Sequence, residues 1–307
     1  MSKEKQNLSE SIYYRLKNFA KSKKQLTEEI LRYYVMERFL YRLSKSEYQH
    51  KFFLKGGLIF RAWDFDTHRP TMDIDFLAKT SNSVDNIKRI IEEICAQQEN
   101  MDGISFDLSK FKLTKMQVEG KYQGVRAVFH ASLHTAKIQL QLDIGFNDEI
   151  YEPQLVIYPT ILDLPSPELK GYSFESVIAE KFEAIVKLGK VNTRMKDFFD
   201  IWKLSKQFSF NGDSLLKAFS ITFKKRRTPI KNQPESFKET FYMNPSCQKR
   251  WLEFLKTIHC KEEISLSFVI QELIVFLNPL VDALISEKSF SKIWEYDKKW
   301  IKPKNGP

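Results

Sequence analysis

The sequence predicts an α+β protein with a helical C-terminal region, and three observations carry this. Apolar residues recur at helical spacing in residues 9–44 and again after residue 172. Between them, from Ile104 to Asn147, the period changes to two. A third stretch, Phe52 to Leu77, joins an apolar run, a glycine pair and two aspartates one residue apart.

Residues 9–44 read as two helices. Ile30, Leu31, Tyr34, Val35, Phe39, Leu40 and Leu43 form the apolar stripe of the second, with Thr27 as its expected N-cap. Phe52 to Lys55 then reads as a strand, ended by Gly56 and Gly57, with a short helix over Leu58–Trp63. Glycines let a backbone approach a ligand closely, and a helix N-terminus favours phosphate. Asp73 and Asp75 alternate with Ile74 and Phe76, so a strand here carries both carboxylates on one face. Adjacent carboxylates repel unless a cation sits between them, and hard oxygen ligands with open positions suit Mg²⁺. The stretch therefore reads as a phosphate clamp beside a metal clamp. Arg69 and Thr71, just before the pair, either contact phosphate or brace the turn.

Val84–Gln97 reads as a helix with an Ile87, Ile90, Ile91 and Ile94 stripe. Strands are expected over Phe111–Val118, Gly124–Leu133 and Lys137–Ile144, with turns around Gly120 and His134–Thr135. The last strand places Ile138, Leu140, Leu142 and Ile144 on one face and Asp143 on the other. If it neighbours the strand of Asp73 and Asp75, three carboxylates meet. Residues 151–172, with Pro153, Pro159, Pro165 and Pro167, read as a connector. This divides the chain into 1–150, the connector, and a helical 173–307.

Beyond the connector, Ser173 is positioned to cap a helix running to about Leu188, with Gly189 closing it. Lys181 lies beside or within that helix's stripe. It either snorkels at the stripe's edge or is buried against a phosphate or a carboxylate cluster. A following helix, about Met195–Gln207, carries Asp197 and Asp200 on one face, with Arg194 preceding Asp197 by the same step. Residues 208–307 read as mostly helical with few motifs.

Composition narrows the function classes. The 307 residues carry a formal net charge of +10, and eight of those ten charges fall in residues 201–307. The densest run is Lys224, Lys225, Arg226, Arg227 and Lys231, which is either a solvated loop or a contact for an RNA backbone. Cys95, Cys247 and Cys260 match neither a zinc spacing nor a disulfide framework, so a reducing cytoplasm is expected. The first residues contain no apolar leader segment, and Leu266–Val281 is interrupted by Gln271, Glu272 and Asn278. No membrane segment is expected. Nucleotide loops of the GxxxxGKS/T and GxGxxG kinds are absent, as are Ser or Cys nucleophile motifs. His130 and His134 lie in a strand-like region, where four residues of separation do not align zinc ligands as on a helix.

KGGLIFRAWDFDTHRPTMDIDF resembles the first motif of the nucleotidyltransferase superfamily. Together with SPELKGYSFESVIAEKFEAIVKLGKVNTRMKDFFDIW, it resembles the AbiEii/AbiGii toxin family over roughly residues 10–210. The resemblance implies a minimal nucleotidyltransferase fold, a mixed sheet flanked by helices. It implies NTP as substrate and Mg²⁺, or Mn²⁺, at Asp73, Asp75 and Asp143. Lys55, Gly56 and Gly57 match the nucleotide-binding turn; Lys181, Asp197 and Asp200 match downstream motifs, with Arg194 assisting. The implied reaction is transfer of a nucleoside monophosphate to an acceptor hydroxyl, with tRNA or another RNA as acceptor and a cognate antitoxin as partner. A small-molecule nucleotidyltransferase of the antibiotic-modifying kind, and a nucleotide-binding module with little catalysis, are the alternatives.

Overall fold

A computed structural model describes residues 3–63, 71–97, 99, 101–118, 121–296 and 299–303. Arg69 and the expected turn at Gly120 lie outside these residues. The chain divides into two compact units, one of residues 1–147 and 153–171, the other of 148–152 and 172–307.

The first unit opens with α1 (Lys3–Lys23) and α2 (Thr27–Lys45). Thr27 is the first helical residue rather than the cap. Leu26 holds the cap position with extended backbone and supplies no side-chain hydrogen bond. Next come β1 (Phe52–Lys55), a 3₁₀ turn over Gly56–Leu58, the four-residue α3 (Ile59–Ala62) and β2 (Ile74–Ala78). The helix α4 (Val84–Ala96) starts at Ser83, whose hydroxyl accepts from the Asn86 N–H. All four isoleucines of its stripe are buried, as the spacing predicts. The strands β3 (Ser105–Val118), β4 (Lys121–Leu133) and β5 (Ala136–Phe146) are each longer than their alternation alone suggests. A shift of register between Asp107 and Lys112 bulges β3 and interrupts its pattern.

The proline-rich stretch read as a connector contains β6 (Gln154–Ile157) and β7 (Glu168–Gly171), which belong to the sheet. Prolines lie outside both strands, where a missing N–H costs no ladder bond. The sheet has seven strands in the order β3-β4-β5-β2-β1-β7-β6. It is mixed: β2 pairs parallel with β5 and β1 with β7, and the other neighbours are antiparallel. Phe39 of α2 packs its ring against Phe129 of β4 and Phe106 of β3, so α2 covers the apolar face. Val125, Ala127, Phe129, Leu140, Leu142 and Ile144 are all buried on that face. Truncating a core phenylalanine such as Phe129 to alanine costs on the order of 3–5 kcal/mol. The opposite face of β4, β5 and β2 carries the polar residues.

A buried ion pair anchors α2. Arg42 reaches both carboxylate oxygens of Asp102, at 2.6 and 3.2 Å, and Asp102 also accepts the Ile104 N–H.

In the second unit, α5 (Phe174–Leu188) is capped by Ser173 and closed by Gly189 at φ +51°. It is followed by α6 (Met195–Gln207), β8 (Phe210–Asn211), α7 (Gly212–Arg226), α8 (Glu239–Tyr242), α9 (Pro245–Thr257) and α10 (Leu266–Ile285). Two short strands, β9 (Ile293–Glu295) and β10 (Lys299–Ile301), join β8 in a small sheet not apparent from the sequence. Trp294 ties that sheet down: it is buried, its indole N–H donates to the Ser205 carbonyl at 2.7 Å, and its ring contacts Phe276. By length and composition α10 could cross a membrane. Here Leu266, Val269, Ile270, Leu273, Phe276, Leu277 and Leu280 are buried within the unit, and Glu272 pairs with Lys206. Cys95, Cys247 and Cys260 are free thiols.

Candidate metal and nucleotide site

Four neighbouring strands align a row of charges on the polar face. Asp75 of β2 is the register partner of Asp143 of β5, the pairing on which the sequence reading depended. On one side, Asp143 lies opposite Arg126 of β4; on the other, Asp75 lies opposite Lys55 of β1. Register partners project from the same face, so the row reads cation, carboxylate, carboxylate, cation. Asp73, two residues before Asp75, adds the third carboxylate. One oxygen from each of Asp73, Asp75 and Asp143 lies within 4.8 Å of the others, and all three residues are half-buried.

Each acid is held differently. The Thr71 hydroxyl donates to Asp73 Oδ1 at 3.2 Å, and the buried Thr71 N–H donates to the Tyr33 hydroxyl at 3.1 Å. The Arg61 guanidinium lies 4.0 Å from the centre of the Tyr33 ring. Thr71 thus braces Asp73 through a chain of contacts back into the core. Burial raises the Tyr33 hydroxyl above its ordinary pKa, so it stays protonated.

Asp75 is held by close packing. Gly56 adopts φ +69°, and a β-carbon there would lie 1.9 Å from Asp75 Oδ2. Only glycine combines that backbone conformation with that approach. Across the row, the Lys55 amine lies 4.0 Å from where a β-carbon on Gly145 would stand, two residues beyond Asp143.

Asp143 is held by a fork. Arg126 Nε donates to Oδ1 at 2.8 Å and Nη2 to Oδ2 at 2.7 Å, while Gln141 donates to Oδ1 at 3.3 Å. The Arg126 side chain is 45% exposed and that of Asp143 only 14%. Hydrogen bonds to Asp143 raise the Arg126 pKa further, and the charges of Asp73 and Asp75 add to this. Arg126 escaped the sequence reading. The alternation of β4 puts it on a polar face, but its partner is fixed only by strand order and register.

Three carboxylates gathered around one point, with the Arg126 guanidinium engaged on Asp143, fit a divalent cation. The donors are all hard oxygens, as Mg²⁺ or Mn²⁺ requires, and the mutual repulsion is relieved by binding one.

The second unit holds another cluster. Lys181 Nζ donates to Asp197 Oδ1 at 3.0 Å and to Asp200 Oδ2 at 2.7 Å, and Arg194 Nε lies 2.6 Å from Asp197 Oδ2. Of the two sequence readings of Lys181, the structure shows the buried one, with carboxylates as partners. Burial alone would raise the Asp197 carboxyl; Lys181 and Arg194 outweigh it and hold the group below the usual carboxylate range. Asn192, fully buried, accepts the Arg194 N–H at 2.8 Å and fixes the loop before α6.

The basic run is not a loop but the last turn of α7 and the residues after it. Arg226 turns inward, to Asp148 at 2.9 Å, Glu180 at 2.7 Å and Glu183 at 2.8 Å. Lys225 pairs at 3.4 Å with Glu149. Lys224 and Arg227 instead line an open hollow with Phe223, Pro229 and Leu284.

The family model described as "Nucleotidyl transferase AbiEii toxin, Type IV TA system" matches residues 38–269. Two solved structures from Helicobacter pylori are also similar, JHP933 and a candidate nucleotidyltransferase. Each is 14% identical with a TM-score of 0.41, over 82% and 83% of this chain and 97% and 96% of theirs. No curated protein matches.

Proposed function

Because the chain belongs to the AbiEii family of nucleotidyl transferase toxins, we propose that it transfers a nucleoside monophosphate from an NTP to a hydroxyl of RNA, with tRNA the favoured acceptor. The observation that carries this reading is the meeting of Asp73, Asp75 and Asp143 beside a glycine turn.

In the proposed reaction the acceptor hydroxyl gives up its proton to water and its oxygen bonds to the α-phosphorus. The bond from that phosphorus to the bridging oxygen of the β-phosphate breaks, and pyrophosphate leaves with that electron pair. Catalysis of this kind rests on positioning and charge neutralisation. Asp73, Asp75 and Asp143 would hold Mg²⁺, which supplies charge neutralisation on the triphosphate and lowers the pKa of the acceptor hydroxyl. Asp143, both of whose oxygens meet Arg126, is assigned to metal binding. Thr71 keeps Asp73 aimed at the same point. The Gly56–Gly57 turn and Lys55 are assigned to phosphate. In the second unit Lys181 and Arg194 are assigned to nucleotide binding by the family resemblance, with Asp197 and Asp200 orienting the lysine. A cognate antitoxin is the partner implied by family.

Incubation with each labelled NTP, Mg²⁺ and total RNA tests the reading. Labelled RNA, lost in Asp73→Asn, is expected. Label on a small molecule, or nucleotide retained unreacted, overturns the choice of acceptor or of reaction.

A further inference from the structure

In the row Arg126, Asp143, Asp75, Lys55, each carboxylate has a cationic residue as its register partner on one side. We propose that Arg126 acts as a latch on Asp143, reserving this carboxylate until nucleotide arrives. The proposal rests on the metal reading above and concerns how many ions the free protein accepts.

The geometry distinguishes the three acids. Asp73 accepts a hydrogen bond from a neutral hydroxyl, that of Thr71. Asp143 gives both oxygens to a guanidinium fork, the strongest hydrogen-bonded arrangement open to a carboxylate. A divalent ion bound through Asp143 must share those oxygens with a fixed positive charge or displace it. An ion that needs Asp143 is therefore disfavoured while the fork is closed, and the free protein accepts one ion rather than two.

Arg126 has somewhere to go. Its side chain is nearly half exposed, whereas the acid it holds is largely covered, so the arginine is the partner able to swing away. A triphosphate offers oxygens of the same chemistry at higher charge, and guanidinium forks bind phosphate as they bind carboxylate. Nucleotide arriving with its own Mg²⁺ would draw Arg126 onto a phosphate and release Asp143 to the second ion. Arg126 is then a positioning residue that couples ion occupancy to substrate.

The test is a count of Mn²⁺ ions bound by the full chain, read from the spectrum of free Mn²⁺ by electron paramagnetic resonance. Wild type is expected to bind one ion alone and two with a non-hydrolysable NTP. Arg126→Gln is expected to bind two without nucleotide, the second at least tenfold tighter than in wild type. Arg126→Lys, which keeps the charge but loses the fork, is expected to fall between and serves if the glutamine variant does not fold. Two ions on the free wild type, or one on both wild type and variants, overturns the latch while leaving the metal site standing. No ion on wild type with or without nucleotide overturns the metal reading itself.

Discussion

Gly56 stands so close to Asp75 that a β-carbon on the glycine would lie 1.9 Å from the carboxylate oxygen Oδ2. Gly56→Ala therefore both displaces Asp75 and places a side chain at φ +69°, where an L-residue costs roughly 1–2 kcal/mol. The expected outcome is loss of Mn²⁺ binding with a small drop in thermal stability. Asp75→Asn should lose the ion without the drop. A Gly56→Ala protein that binds Mn²⁺ as wild type does would contradict this packing argument.

Lys181 lies between two nearly dry carboxylates. Lys181→Ala leaves Asp197 and Asp200 without it, and breaking a buried ion pair of this kind costs on the order of 3–5 kcal/mol. Replacing all three by Met, Asn and Asn should recover most of that stability but not nucleotide affinity. The folded Asp197 carboxyl lies below its ordinary value, so its pairing stabilises the fold above the usual carboxylate range. That contribution is lost as pH falls through the lowered folded value. Urea midpoints from pH 7 to pH 3 measure it, and the triple variant should lack this part of the acid sensitivity.

Glu37 behaves in the opposite sense. It is buried in α2, where desolvation raises its pKa from 4.5 to about 7, despite Arg38 at 2.9 Å and the Ile161 N–H at 2.8 Å. Between those values the folded state binds the proton and the unfolded state does not. The Glu37 contribution thus lowers stability as pH rises from 4.5 to 7, by roughly 3 kcal/mol, and is flat above. Glu37→Gln should remove this slope in urea melts, since the amide oxygen can still accept from Ile161. An unchanged slope would show that Glu37 titrates normally.

The basic run should divide by residue. Lys224→Gln and Arg227→Gln, on the open hollow, should each lower the salt slope of RNA binding by about 1 with little change in melting temperature. Arg226→Gln leaves Asp148, Glu180 and Glu183 facing one another. It should lower the melting temperature and leave the salt slope nearly alone. Equal effects of all three on RNA binding would mean that Arg226 leaves its acidic partners.

Much of this architecture was legible along the chain. The stripe of Ile87, Ile90, Ile91 and Ile94 and the caps Ser173 and Gly189 are local patterns, and local physics decides them. The signals failed where a longer pairing intervened. Prolines made 151–172 look like a connector because the hairpin of β6 and β7 joins the sheet only through β1, more than a hundred residues earlier. The basic run looked like a single patch because nothing in Lys224–Arg227 reveals that Arg226 meets Asp148 and Glu180.

The sequence by itself determined which face of each strand carries the acids: a two-residue period leaves Asp73 and Asp75 no choice, nor Asp143 beside Leu142 and Ile144. Tertiary structure decided what stands next to them. Strand order β4-β5-β2-β1 and its register brought Arg126 to Asp143 and Lys55 to Asp75. The period of a strand is set by its own backbone, whereas register depends on how the buried faces of all its neighbours pack together.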